Sequence, residues 1–280
     1  MTAKPATLQG EALLNEIKQE PAAGSVRLWY IGQMGLILRK GSLTVLIDPV
    51  LNDLTDSEGK TRRLYPPLFA PEALDFTDFV LCTHNHADHL NLFTLLPISR
   101  VNPEPRFIVP APEAHVLTEG GIPESRVIEA EAGVPVRLSE DCTVLPVAAA
   151  HEDYRRDAAG REFCLGYHLT LGSFRLYHAG DTLLTDRLLA DLRAAGVPDA
   201  ACLPVNGRDD ERHARGILGN MNAEEAACLA ASLGIPLSIP MHYDMVRGNT
   251  ADPQDFARAC LAKPERPACR ILRPGESLSF

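Results

Sequence analysis

Thr83-His84-Asn85-His86-Ala87-Asp88-His89 places four metal-ligand side chains within six residues, directly after the apolar run Phe79-Val80-Leu81-Cys82. The run reads as a short buried strand, and functional side chains gather at strand ends and in the loops after them. Residues two apart on an extended segment face the same side, so His84 and His86 can reach one ion together. Asp88 and His89, where the chain turns toward a helix, can face a second ion beside it. Imidazoles and a carboxylate crowded in this way without a cation would repel one another or go unsatisfied. The stretch is therefore read as a metal site rather than a polar turn.

Further ligands are expected at other strand ends, and the sequence supplies three. His151 follows the apolar run 144–150, Asp181 follows a strand at 173–178, and His242 follows a strand at 237–241. Seven side chains suffice for two adjacent divalent ions with Asp181 bridging them. The set is imidazole and carboxylate only, which suits zinc, manganese or iron and argues against copper(I) or an iron–sulfur cluster.

Around these motifs, residues 8–19 carry apolar positions at helical spacing, so residues 1–25 are expected to be an N-terminal helical extension. From Val26 short apolar runs at 26–31, 35–39 and 43–48, broken by glycine, predict a β-meander. A helix near 90–96 is expected to stop before Pro97, and β/α alternation follows, with helices at 111–119, 183–194, 223–233 and 253–262. Asn222 with Glu225 predicts a capping box. Each half has a β-rich block, then α/β units, and each block ends in a strand leading to an aspartate, Asp48 or Asp181. No linker separates the halves, so 26–280 is read as a single domain of two packed sheets with helices outside.

Composition narrows the class. Of the 280 residues 45% are hydrophobic and 23% charged, which excludes a disordered chain. Twenty-seven Lys+Arg against 37 Asp+Glu leave a net charge of −10, giving no attraction for nucleic acid or anionic lipid. No apolar run approaches the ~20 residues of a membrane helix, and Met1-Thr2-Ala3-Lys4-Pro5 lacks the apolar core of a signal peptide. Seven scattered cysteines without a C-x-x-C pair read as reduced thiols. The expectation is a cytoplasmic protein with a small anionic substrate, no nucleic-acid or membrane partner, and homo-oligomerisation left open.

The H-x-H-x-D-H run, the later histidine, the Gly-Asp-Thr and the final histidine resemble the metallo-β-lactamase superfamily. Tyr177-His178-Ala179-Gly180-Asp181-Thr182, Leu203-Pro204-Val205-Asn206-Gly207-Arg208-Asp209, Gly219-Asn220-Met221-Asn222 and Ile239-Pro240-Met241-His242-Tyr243-Asp244-Met245 are similar to its L-ascorbate-6-phosphate lactonase branch. The resemblance implies a four-layer αββα sandwich. It also implies that His84, His86 and His151 hold one ion, that Asp88, His89 and His242 hold the other, and that Asp181 bridges them. It implies a cytoplasmic manganese enzyme, with zinc the alternative and iron less favoured. Lactonases of that branch are longer, with segments this chain lacks. Other branches fit less well: residue 86 is His rather than Glu and no flavodoxin-like domain follows, as a diiron oxidoreductase would need. Asn91 and Leu92 stand where glyoxalase-type thioesterases have two glycines.

Outside the metal set, Arg208 is expected after a strand on the metal face. It would bind a substrate phosphate or carboxylate there, or else pair with Asp209 or Asp210. Arg212 and Asn206 could line the same mouth. Asp48 is expected to tether a ligand histidine, and His178 either orients a ligand or is a satisfied buried residue. His168 and His115 read as structural, while Asp244 and Tyr243 could orient His242 or touch substrate. The expected reaction is opening of a lactone or related ester by a metal-bridging hydroxide, with Asp88 or Asp181 returning the proton to the leaving alkoxide. The alternatives are a dimetal phosphodiesterase and a non-catalytic metal-binding or sensory protein.

Overall fold

Leu13 and Ile17, one helical turn apart, form the buried face of α1 (Gly10–Lys18) in a computed structural model that describes residues 8–56 and 58–280. Residues 1–7, which hold the stretch read for a signal peptide and the start of the extension, and Ser57 lie outside the described residues. The chain divides into two compact units. One is Met1–Glu129 with Asp244–Arg247 and Leu272–Phe280, and the other is Ala130–Tyr243 with Gly248–Ile271.

In the first unit β1 (Arg27–Gly32), β2 (Gly35–Lys40) and β3 (Leu43–Ile47) form the expected antiparallel meander. β4 (Phe79–Leu81) then adds parallel to β3, and after α2 (Leu92–Val101) β5 (Arg106–Pro110) adds parallel to β4. α3 (Ala114–Glu119) and β6 (Val127–Ala130) follow. The core joins Trp29, Ile37 and Leu46 of the sheet to Leu13 and Ile17 of α1 and Leu95 and Ile98 of α2. In β2 and β3 consecutive residues are buried, so both faces of these strands are covered and their apolar runs are unbroken.

α2 does not stop before Pro97; it runs through it to Val101. Proline removes one donor, but the carbonyl that loses its partner belongs to Phe93, a residue that is 78% exposed. Buried Leu95 and Ile98 hold the helix on either side of the proline. The 111–119 helix opens with a 3-10 turn at Ala111–Glu113 before α3 begins.

The second unit repeats the order of directions. β7 (Val136–Arg137), β8 (Cys142–Ala148), β9 (Leu165–Leu171) and β10 (Phe174–His178) pair antiparallel in turn. After α4 (Asp186–Ala195), β11 (Ala200–Pro204) adds parallel to β10. α5 (Asp210–Ala214) and α6 (Ala223–Leu233) lead to β12 (Leu237–Met241), and α7 (Pro253–Ala262) leads to β13 (Ala268–Cys269), both parallel additions. The last strand, β14 (Ser277–Ser279), returns to pair with β1 of the first sheet.

α4 starts three residues later than the sequence suggested, because the Thr185 hydroxyl accepts from Leu188 N and fixes the first turn there. The capping box at α6 is present in both directions between Asn222 and Glu225. α5 was not foreseen; Asp209 caps it by accepting from Arg212 N. Among the described residues no helix is long and apolar enough to cross a membrane.

Candidate metal centre

In the first unit the run 83–89, which holds four candidate ligands, leaves β4 and is fastened at both ends. Asp48, at the end of neighbouring β3, is fully buried and accepts from Thr83 N at 2.8 Å and Thr83 Oγ1 at 2.7 Å. Its Oδ2 also lies 2.8 Å from His89 Nδ1. A carboxylate can only accept, so Nδ1 of His89 carries the proton and Nε2 is the atom it offers to a metal. Thr83 gives its one hydroxyl proton to Asp48, so its oxygen accepts from His84 Nδ1 at 3.0 Å. His84 therefore presents Nε2, which faces His86 Nδ1 at 2.9 Å. Past the ligands, Asn91 donates to Ala87 O at 2.7 Å and caps α2 by accepting from Thr94 N. Asp88 Oδ2 accepts from Gln33 Nε2 at 2.7 Å and lies 3.8 Å from His89 Nε2.

Behind Gln33 sits Asp244, which belongs to this unit. Its Oδ1 receives Tyr30 OH at 2.8 Å, Tyr65 OH at 3.1 Å and Gln33 N at 3.3 Å. Burial pushes its carboxyl up to about 6, and the three hydrogen bonds and nearby Arg63 pull against that rise. Asp244 thus braces the β1–β2 turn.

In the second unit three strand ends meet. Ala150 N donates to Thr182 Oγ1 at 3.0 Å and Leu183 N to Ala150 O at 2.9 Å, tying the residue before His151 to the residues after Asp181. Asp181 Oδ2 lies 3.3 Å from His242 Nε2 and 3.7 Å from His151 Nε2, and all three side chains are buried. One carboxylate oxygen thus faces two imidazoles, the arrangement a bridging ligand requires. His178 accepts from Gly180 N at 3.3 Å, shaping the turn that delivers Asp181. His168 Nε2 donates to Gly196 O at 2.9 Å and burial lowers its pKa, a structural role. His115 stays local and exposed, bonded to Pro112 O.

Arg208 pairs with neither aspartate the sequence offered. Its two terminal nitrogens each lie 2.7 Å from a Glu225 carboxylate oxygen, and Nη1 also reaches Asn220 O at 3.1 Å. Arg212 donates to Asp209, to Asn206 O at 2.7 Å and to Asn249 Oδ1 at 3.2 Å. Asn206, Asn220 and Asn249 form a buried amide chain, Asn220 donating to Asn206 and Asn206 to Asn249.

The described non-glycine residues with positive φ are Gln33, Asp48, Glu152, His242 and Arg266. All but Arg266 are candidate ligands, neighbours of candidate ligands or their hydrogen-bond partners, and each such residue costs about 1–2 kcal/mol. Strain of this kind persists where surrounding structure over-determines it, and it gathers at functional sites. Thr83 and Gln33 escaped the sequence reading. Thr83 adjoins a ligand and was open to inference, whereas Gln33 lies in the Gly32–Gly35 turn, where only the long-range contact reveals it.

The ligand atoms on offer are imidazole nitrogens and carboxylate oxygens, so the donor chemistry fits divalent zinc, manganese or iron. The sequence pattern described as the Beta-lactamase superfamily domain matches residues 44–243, more than two thirds of the chain. A UPF0173 metal-dependent hydrolase of Aeropyrum pernix is 28% identical over 268 residues, covering 91% of this chain and 97% of that protein. Among solved structures, a metallo hydrolase from the archaeon Ignicoccus hospitalis has a TM-score of 0.68 at 23% identity, over 91% of this chain and 98% of that one. A diiron β-hydroxylase from Streptomyces venezuelae has a TM-score of 0.66 at 17% identity, over 93% of this chain and 55% of that one. At these identities the structural likeness establishes the fold alone.

Proposed function

The chain belongs to the metallo-β-lactamase superfamily as a metal-dependent hydrolase, and from that premise we propose that it opens a lactone or related ester of a small anionic molecule. His84, His86 and His151 would hold one ion, Asp88, His89 and His242 a second, and Asp181 both. Manganese or zinc suits this set, and iron is less favoured. Bound divalent ions supply Lewis acidity and a water deprotonated near neutral pH. The observation that carries the reading is Asp181 Oδ2, one carboxylate oxygen facing the Nε2 atoms of both His151 and His242.

The protein's own groups fix the rest. Asp48 and Thr83 set the tautomers of His89 and His84, so that each ring presents a lone pair rather than a proton. Asp88 is the better proton carrier of the two aspartates: its side chain is 22% exposed against 5% for Asp181, so it can exchange with water. Arg212 and Asn206, which the fold brings together with Asn249, are the groups we assign to the substrate anion, in exchange for part of their present bonding. Arg208, saturated by Glu225, is the weaker candidate. The lactone preference rests on the motifs around Asn206, Asn220 and His242, and a cytoplasmic setting suits seven free thiols.

The test is elemental analysis joined to a substrate panel of lactones, phosphodiesters and thioesters. Two ions per chain, with lactone hydrolysis abolished by chelation and restored by manganese or zinc, is the expected result. Preference for phosphodiesters would transfer the site to phosphoryl chemistry. Activity that survives a strong chelator in metal-free protein would end the metal reading.

A further inference from the structure

We propose that Gln33 is a positioning residue for Asp88, holding that carboxylate in the orientation from which it binds the second ion. The inference rests on the reading of Asp88 as a ligand and adds a residue to that site. Gln33 lies in the turn between β1 and β2, fully buried, with φ at +57°. A glycine would take this backbone conformation without cost, and the turn already has Gly32 and Gly35 on either side. What a glycine lacks is the side-chain amide, and here the amide reaches Asp88 Oδ2 at 2.7 Å.

The turn is braced rather than loose. Gln33 N donates to Asp244 Oδ1, and the same oxygen receives the hydroxyls of Tyr30 and Tyr65. Tyr65 OH also occupies the space beside Gly32, where an added Cβ would come within 2.2 Å of it. The donor is thus fixed to the strand frame, while Asp88 stands on a loop with its side chain 22% exposed and able to swing to water. An amide N–H favours the ionised, metal-ready carboxylate without adding charge. A glutamate at position 33 would repel it. The strained backbone is retained because the amide has a task, the pattern expected of a group that orients a metal ligand.

The strain also supplies the test. Q33G removes the amide and relieves the backbone, Q33A removes the amide and keeps the strain, and D88A removes the proposed ligand. Zinc and manganese binding would be measured by chelator competition, and the thermal midpoint would be measured on metal-free protein. Q33G should bind the second ion roughly 10- to 100-fold less tightly, with a metal-free midpoint equal to or above that of the parent. Q33A should lose similar affinity with a lower midpoint. D88A should retain only one tightly held ion. If D88A loses an ion and Q33G binds both like the parent, Gln33 does not position Asp88. If Q33G loses metal-free stability in step with affinity, the residue is structural and the proposal falls. If D88A still holds both ions at parental affinity, the ligand reading of Asp88 itself fails.

Discussion

In the first unit three antiparallel strands, β1 to β3, run on into parallel β4 and β5; in the second, β8 to β10 run on into parallel β11 and β12. Matching strand ends carry different equipment. The end of β4 bears four ligand-type residues in one run, while its counterpart, the end of β11, bears Asn206-Gly207-Arg208. The end of β3 bears Asp48, which backs Thr83 and His89, whereas its counterpart after β10 bears Asp181, which faces two imidazoles itself. One topological position thus supports a proposed ligand in one unit and is itself a proposed ligand in the other. The units also differ in their buried polar groups: carboxylates, Asp48 and Asp244, in the first, and an amide chain of Asn206, Asn220 and Asn249 in the second.

The sharpest way to break this comparison is to remove a ligand from each side. His84→Ala takes one imidazole from one proposed ion, and Asp181→Ala takes the shared carboxylate from both. Loss of a single supporting partner typically costs 10- to 100-fold in affinity or activity, so a ligand serving both ions should cost roughly a thousandfold in turnover. Asp181→Ala should therefore retain less metal and less activity than His84→Ala, with circular dichroism unchanged in both. Near-equal metal content in the two variants would remove Asp181 from its bridging place.

Buried carboxylates against buried amides predict a difference in pH response. Asp244 titrates near 6 in the folded protein against an ordinary 3.8, because burial disfavours its charge. Well below its ordinary value of 3.8 the group is protonated in both states and contributes no pH dependence. Between there and pH 6 the unfolded chain ionises first, so the folded state loses stability as pH rises. Above 6 the loss is complete, on the order of 3 kcal/mol. Asp244→Asn cannot ionise, so the stability gap between variant and parent should move by about that amount in the variant's favour from pH 4 to pH 8. Denaturant titrations of metal-free protein at both pH values check it. A constant gap would show that Asp244 keeps its ordinary acidity in this site.

The candidate metal set could be named from the sequence because ligand chemistry concentrates in recognisable residue types: the run 84–89 stands out, and strand ends point to 151, 181 and 242. The meander after Val26 and the cap at Asn222 were legible because glycine turns and capping boxes are local codes. What stayed hidden depends on pairing across the sequence. Gln33 meets Asp88 across 55 positions and Asp244 meets Tyr30 across 214. The passage of α2 through Pro97 was hidden for another reason, since a local rule that ends helices yields where apolar anchors flank the proline and the residue with the orphaned carbonyl lies exposed.

The smallest expected effect tests the strand end with no ligands. From the sequence, Arg208 either anchors a substrate anion or pairs with Asp209 or Asp210; in the fold its fork meets Glu225 on both terminal nitrogens. Glu225 is also the capping-box residue that accepts from Asn222 N, so Arg208 steadies the start of α6. The pair is partly exposed, at 41% and 27%, and such pairs contribute about 0–1 kcal/mol. Arg208→Ala should thus lower stability by no more than about 1 kcal/mol and leave KM and kcat for an anionic substrate nearly unchanged. The substrate could compete for the arginine only by displacing a bidentate carboxylate that already matches the guanidinium fork. If Arg208→Ala instead raises KM for anionic substrates alone, that displacement occurs. The end of β11 would then be a working part of the site, and the two units would be less unequal than their ligands make them.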